Sequence, residues 1–150
     1  MKKINFKSLA FFTLVPLMLS FVISMLIPDY KEFYNNLEKP LDVPMIVFPI
    51  VWSILYILLG IAGYIVDSKG GSLKLYTLLI IMILAWPVVF FYFHLNGISA
   101  ILTGLTLILG ILVAINFYKV SQASGLLIIP FILWVAFATY LSSGIYFMNM

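Results

Sequence analysis

The charged residues of this chain fall into four short clusters, and the stretches between them are long enough to cross a lipid bilayer once or twice. Lys2, Lys3 and Lys7 are followed by nothing charged until Asp29; Asp29 to Asp42 make the second cluster, Asp67 to Lys74 the third, and Lys119 stands alone. A crossing takes about 20 apolar residues, so the gaps are read as five spans, residues 8–27, 44–66, 73–93, 97–118 and 124–146. Hydrophobic residues make up 65% of the chain and charged ones 9%, against about 25% charged in a soluble domain. Such a chain cannot cover itself with a polar surface. The fold class expected is an all-α membrane protein, a five-helix transmembrane bundle with a short helical loop between helices 1 and 2, and residues 1–150 form a single domain. The first span follows a basic Met-Lys-Lys start, but its apolar run is too long for a signal-peptide core and no small-residue cleavage site follows, so it is read as an uncleaved helix.

With five crossings, the N-terminus, the 67–72 loop and the 119–123 loop share one side. That side holds Lys2, Lys3, Lys7, Lys69, Lys74 and Lys119, while the other holds Lys31 and Lys39 diluted by Asp29, Glu32, Glu38 and Asp42. The lysine asymmetry therefore places the N-terminus in the cytoplasm and the C-terminus outside, with a bacterial plasma membrane as the expected location. The long outer connection, 28–43, has a capping-box pattern in Asp29 and Glu32 and a stop in Lys39-Pro40, which predicts a short helix. Phe33 and Leu37, four residues apart, give it an apolar face to lay on the bundle.

The spans contain no acid, cysteine or arginine, and the sole histidine, His94, lies at the outer end of the third. Hydrolytic and thiol chemistry are excluded, no metal site is expected, and the lack of an intramembrane ionisable group argues against a proton pathway. No nucleic-acid partner is expected either. What the spans do carry is large aromatics away from the interfacial belts. At about 1.5 Å per residue, Trp52 and Trp86 lie about 12 Å below the outer surface, Tyr56 and Trp134 about 18 Å, and Phe90 is shallower. Three helices thus bring aromatics to one depth beneath the outer loop. An indole N–H in hydrocarbon needs a partner, so these residues are read either as core packing or as the walls of a cavity for a flat apolar ligand with the 28–43 segment as its lid.

The same residues resemble the translocator protein (tryptophan-rich sensory protein, TspO) family. Its pattern around the first loop and second helix, approximately W-Y-x-x-L-x-K-P-x-W-x-P-P-x-x-x-F-x-x-x-W-x-x-L-Y, is met, with one residue fewer after Lys39-Pro40, by Tyr34, Leu37, Lys39, Pro40, Pro44, Phe48, Trp52, Leu55 and Tyr56. The third-helix pattern N-x-x-W-S-x-x-F-F is met by Trp86, Phe90 and Phe91. The fifth-helix pattern P-Y-x-x-W-x-x-F-A-x-x-L-N and a terminal Asn are met by Pro130, Phe131, Trp134, Phe137, Ala138, Leu141 and Asn149. The chain departs from the family at Phe33 and Leu41 (loop tryptophans), Val43 (a proline), Ile83 and Ser142 (asparagines) and Pro87 (a serine).

The resemblance implies a receptor for porphyrins such as protoporphyrin IX and for benzodiazepine-site aromatic ligands, commonly a homodimer, without a covalent cofactor. It implies binding through Tyr34, Leu37, Lys39, Pro40, Trp52, Tyr56, Trp86, Phe90, His94, Trp134, Phe137, Ala138 and Ser142. Lys39 and His94 are the cationic or hydrogen-bonding groups at the mouth, and with no axial ligand at cavity depth the porphyrin expected is the free base. Light- and oxygen-dependent porphyrin degradation, with Trp52 and Trp134 as candidate catalytic residues, and transport of porphyrin or other apolar molecules are the alternatives, so enzymatic activity stays open. The fourth span carries two small-x3-small pairs, Ala100 with Gly104 and Gly110 with Ala114, which would let a helix of the same chain or of a second copy approach closely.

Overall fold

In the computed structural model, which describes residues 4–150, seven α-helices account for most of the chain. They are α1 (Phe6–Leu26), α2 (Tyr30–Asn36), α3 (Val47–Ser68), α4 (Lys74–Pro87), α5 (Asn96–Val120), α6 (Gln122–Leu127) and α7 (Ile129–Met148). Among the described residues, five stretches are long and apolar enough to cross a membrane: α1, α3, Lys74–Tyr92, α5, and Gln122–Met148. These are the five spans read from the charge gaps, with ends shifted by a few residues. Lys2 and Lys3, part of the basic cluster, lie outside the described residues. A backbone in hydrocarbon has no water to bond, so each apolar run closes its own hydrogen bonds as a helix.

Two of the prolines stand where helices change pitch, whereas Pro16 and Pro49 lie within unbroken helices. Pro87 has no N–H to continue the α-helical ladder, and α4 passes there into a π-helical turn, Val88–Tyr92, closed by Phe93 N–H donating to the Val88 carbonyl at 3.0 Å. Pro130 has the same deficit, and the fifth span steps at Ile128 between α6 and α7. The lid helix α2 forms as expected, but its start is a correction to the capping box. Asp29 sits at the N-cap with φ 56°, in the left-handed region, and its side chain makes no capping bond. The chain must reverse within three residues of leaving α1, and Asp tolerates that conformation better than most residues.

The spans close into a ring. α1 lies on α3 and touches α4, α4 lies on α5, α5 packs along α7, and α6 returns to α3. Two cores result. The larger fills the middle and the basic end with Leu59, Val66, Leu79, Val113, Phe117 and Phe131; the smaller joins the lid to the bundle through Tyr34, Val43, Phe90, Leu141 and Ile145.

The structure separates the two small-residue pairs of α5. A Cβ built on Gly110 would stand 2.8 Å from Phe131 Cε1, so this glycine seats α7 within the same chain, and Ala114 is also buried. Gly104 meets nothing within 4 Å. Gly110→Leu is therefore expected to cost about 1–3 kcal/mol of stability through overpacking, read from the thermal midpoint in detergent. Gly104→Leu, where a side chain meets nothing within 4 Å, should leave the midpoint unchanged.

Candidate functional site

A cavity lies directly beneath α2, in the half of the bundle that carries the lid. Its walls are Tyr34 of the lid, Phe48 and Trp52 of α3, and Ile83 and Trp86 of α4, with Phe90 and Phe91 from the π turn. Thr103 and Thr106 of α5 face it, and α7 contributes Trp134, Val135, Ala138, Leu141, Ser142 and Ile145. The depth reckoning thus puts Trp52, Trp86, Phe90 and Trp134 in one place. α1 contributes nothing to the walls.

The rings pack edge to face across the space. Phe48 meets Trp134 at 6.0 Å between centroids and Tyr34 at 5.5 Å, while Trp86 stacks on Phe90 at 4.9 Å and 13°. Such pairs hold ring orientations that a leucine core would leave loose. The result is tight: the free space is about 50 Å³, enough for a water or two and far below the roughly 300–1,000 Å³ of a ligand pocket. In this state the walls are closed on themselves, and admitting a ring system requires the lid or a span to move.

Most polar groups of the walls are satisfied internally. The Trp86 indole N–H donates to Thr103 Oγ1 at 2.9 Å, and the Thr103 and Thr106 hydroxyls donate to the carbonyls of Ser99 and Leu102 at 2.6 and 2.7 Å. Two fully buried groups are not: Trp134 Nε1 and Ser142 Oγ have no hydrogen-bond partner, and the Trp52 indole N–H, also in the wall, has none among the described residues.

The lid is fastened at several points. The Tyr34 hydroxyl donates to the Val43 carbonyl at 2.8 Å. The Asn149 side-chain amide clasps the Glu38 backbone, accepting from its N–H at 3.1 Å and donating to its carbonyl at 2.7 Å. Pro40 nests on Gly144 so closely that a Cβ on the glycine would lie 3.0 Å from Pro40 Cβ. Phe33 stacks on His94 at 3.9 Å and 10°, and His94 itself holds φ 57° where the π turn ends.

Six of the residues singled out from the sequence are therefore absent from the walls, each for a visible reason. Lys39 spends its ammonium on the lid, donating to the carbonyls of Tyr34 and Leu37 at 3.0 and 2.9 Å and lying 4.5 Å from the Tyr34 ring centre. His94 is exposed and stacked on the lid's outer edge, and Leu37 and Pro40 are lid packing. Tyr56 turns toward α1, where its hydroxyl faces Ser20, and Phe137 packs between Trp134 and Tyr140. The sequence reading had not placed Thr103 and Thr106 in the site. Their signal was available, since two hydroxyls three residues apart share a helix face within an otherwise apolar run.

Burial, with the Asp42 carboxylate nearby, pushes the Tyr34 phenol from its ordinary 10.0 up to about 12. The folded lid thus favours the neutral phenol; its contribution is whole below pH 10 and is lost as pH rises from 10 toward 12. Raising pH through that window should loosen the lid, seen as lower protection factors for amides in 30–43 once the base-catalysed rise in intrinsic exchange is divided out, and Tyr34→Phe should lessen that fall.

A family model described as the TspO/MBR family matches residues 12–148 of the chain. The tryptophan-rich protein TspO of Bacillus cereus is 32% identical over 140 residues, covering 87% of this chain and 90% of its own. The tryptophan-rich sensory protein of Cereibacter sphaeroides is 30% identical, with 79% and 77% covered. The human translocator protein is 32% identical, with 87% and 83% covered.

Proposed function

Since the chain belongs to the TspO/MBR family, and is on that footing an integral membrane protein with a binding or sensory role, we propose that the cavity beneath α2 binds porphyrins of the protoporphyrin IX type and other flat apolar aromatic molecules. The observation that carries this reading is the convergence of Trp52, Trp86, Phe90 and Trp134, from three spans, on one cavity under a fastened lid. Wide ring faces suit a macrocycle, which gains contact area from each ring it lies against.

The porphyrin proposed is the free base. Among the described residues no His, Cys or Met lines the cavity, and Tyr34, the one phenol there, donates a hydrogen bond to the Val43 carbonyl and resists ionisation. With Lys39 and His94 occupied on the lid, the propionates are proposed to stay in the water at the mouth rather than pair with a fixed cation. The lysine asymmetry orients this mouth outward, with the N-terminus in the cytoplasm.

Titration of the purified protein with protoporphyrin IX tests the reading. Base–aromatic stacking is worth roughly 1–3 kcal/mol per ring, so Trp52→Ala and Trp134→Ala should each weaken binding about tenfold or more. Leu133→Ala, on a lipid-facing position 67% exposed, should not. Equal affinities for all four proteins would mean that the aromatics pack the bundle and do nothing else.

A further inference from the structure

We infer that the cavity selects flat aromatic molecules that carry a hydrogen-bond acceptor on one edge, held by the Trp134 indole N–H, with the Ser142 hydroxyl meeting a second polar group nearer the lid. This rests on the binding reading above and adds the chemical class of the ligand to it.

The inference comes from an accounting of polar groups. Every polar side chain described above in the walls of α2, α4 and α5 has a partner within the chain: Tyr34 with Val43, Trp86 with Thr103, Thr103 with Ser99, and Thr106 with Leu102. On α7 the pattern reverses. Trp134 Nε1 and Ser142 Oγ are buried and unpartnered, and Ser142 is only 3% exposed. Burying an N–H or O–H in an apolar setting without a bond is costly, and phenylalanine and alanine would fill these two positions with no such cost. Their presence makes sense if the bond is completed from outside the chain.

Geometry says how. Trp134 and Ser142 are eight residues apart, about 12 Å along the helix, with the small Ala138 between them on the same face and also in the wall. A ring system lying along α7 would cross Ala138 and offer one edge to the indole at depth and the other to the serine below the lid. The α4 wall offers no competing side-chain anchor, because Ile83 is a hydrocarbon and the Trp86 N–H is already donated; the Trp52 N–H of α3 is undonated too, but unlike Trp134 Nε1 and Ser142 Oγ it is not among the fully buried orphans, so its cost when empty is smaller.

Fluorene and 9-fluorenone are tricycles of nearly the same shape that differ by one carbonyl acceptor, and 2-hydroxyfluorenone adds a second polar group. Equilibrium dialysis against the purified protein in detergent gives their affinities, with empty micelles subtracted. One net hydrogen bond corresponds to roughly a fivefold to tenfold change. The preference for fluorenone over fluorene should therefore fall by about that factor in Trp134→Phe, which keeps a flat ring but removes the N–H. The gain of 2-hydroxyfluorenone over fluorenone should fall similarly in Ser142→Ala. Comparing each variant with wild type cancels the differing partition of the probes into detergent, and fluorene bound to the variants reports that the cavity survives. Binding of all three probes with preferences that neither substitution changes would overturn the inference and leave the cavity reading standing, the two groups then being satisfied by trapped water. Failure of the wild type to bind any probe above the micelle background would overturn the binding reading and this inference with it.

Discussion

Gly60→Val should detach the first span from the rest of the bundle. A Cβ at position 60 would stand 2.5 Å from the Phe12 carbonyl oxygen and 2.6 Å from Thr13 Cα. Both are backbone atoms, so no rotamer change relieves the clash and the helices must separate. α1 has little else to hold it: its hydrophobic side chains are largely exposed, and the contact with α3 is its main one. Apolar side chains gain nothing by leaving lipid for another helix, so close backbone approach supplies the affinity. The loss should reach about 3 kcal/mol or more, at the upper end of overpacking costs. It would appear as a lower midpoint in detergent titration and as protease sensitivity near the start of α1, where the Asn5 N–H otherwise donates to Tyr64 Oη at 2.8 Å. Because α1 forms no wall of the cavity, ligand affinity should fall less than stability does. An unchanged midpoint would show that α1 is not held through this contact.

The second large effect expected is kinetic. The chain has no cysteine, so Pro40→Cys with Gly144→Cys introduces a single possible disulfide. The Cβ positions are 3.0 Å apart, slightly inside the roughly 3.5–4.5 Å that disulfides adopt, and replacing the proline ring removes the atoms that crowd the glycine. With about 50 Å³ of space under a closed lid, a porphyrin has to wait for the lid to open. Oxidising the pair should slow association of protoporphyrin IX about a hundredfold if the open state becomes that much rarer, and a reductant should restore it. Association that is equally fast in the locked form would show that ligand reaches the cavity between the spans, directly from the lipid.

How much of this was legible beforehand follows from what each residue depends on. The five spans rest on runs of apolar side chains and on the need to close backbone hydrogen bonds in hydrocarbon, both of which act locally, so the charge gaps located them within a few residues. Trp52, Trp86, Phe90 and Trp134 could be brought to one depth because helix rise is constant. Lys39 could not be placed, because its ammonium reaches back to carbonyls exposed by the end of α2, a partner that exists only once the helix has formed. Asp29 was misjudged for a similar reason. Its capping pattern is local, whereas the reversal that puts it at φ 56° is dictated by where α1 ends and the lid must lie. The closed state of the cavity depends on how rings from four helices interlock, and no spacing along one helix encodes that.

The π turn at Val88–Tyr92 bears on how such a chain can change over generations. A π turn is an α-helix that holds one residue more than its pitch allows, and this one carries Phe90 and Phe91, whose rings meet Phe33 of the lid, and leads to His94, on which Phe33 stacks. Losing a residue elsewhere in α4 would rotate everything beyond it by about 100° and swing Phe90 out of the wall. Losing one within the turn would instead return the segment to ordinary pitch, leaving the helix before it and the loop after it in register. The span can therefore shorten by one residue at this point, and in descendants carrying such a deletion the residues whose facing would change are the two phenylalanines that line the cavity and meet the lid.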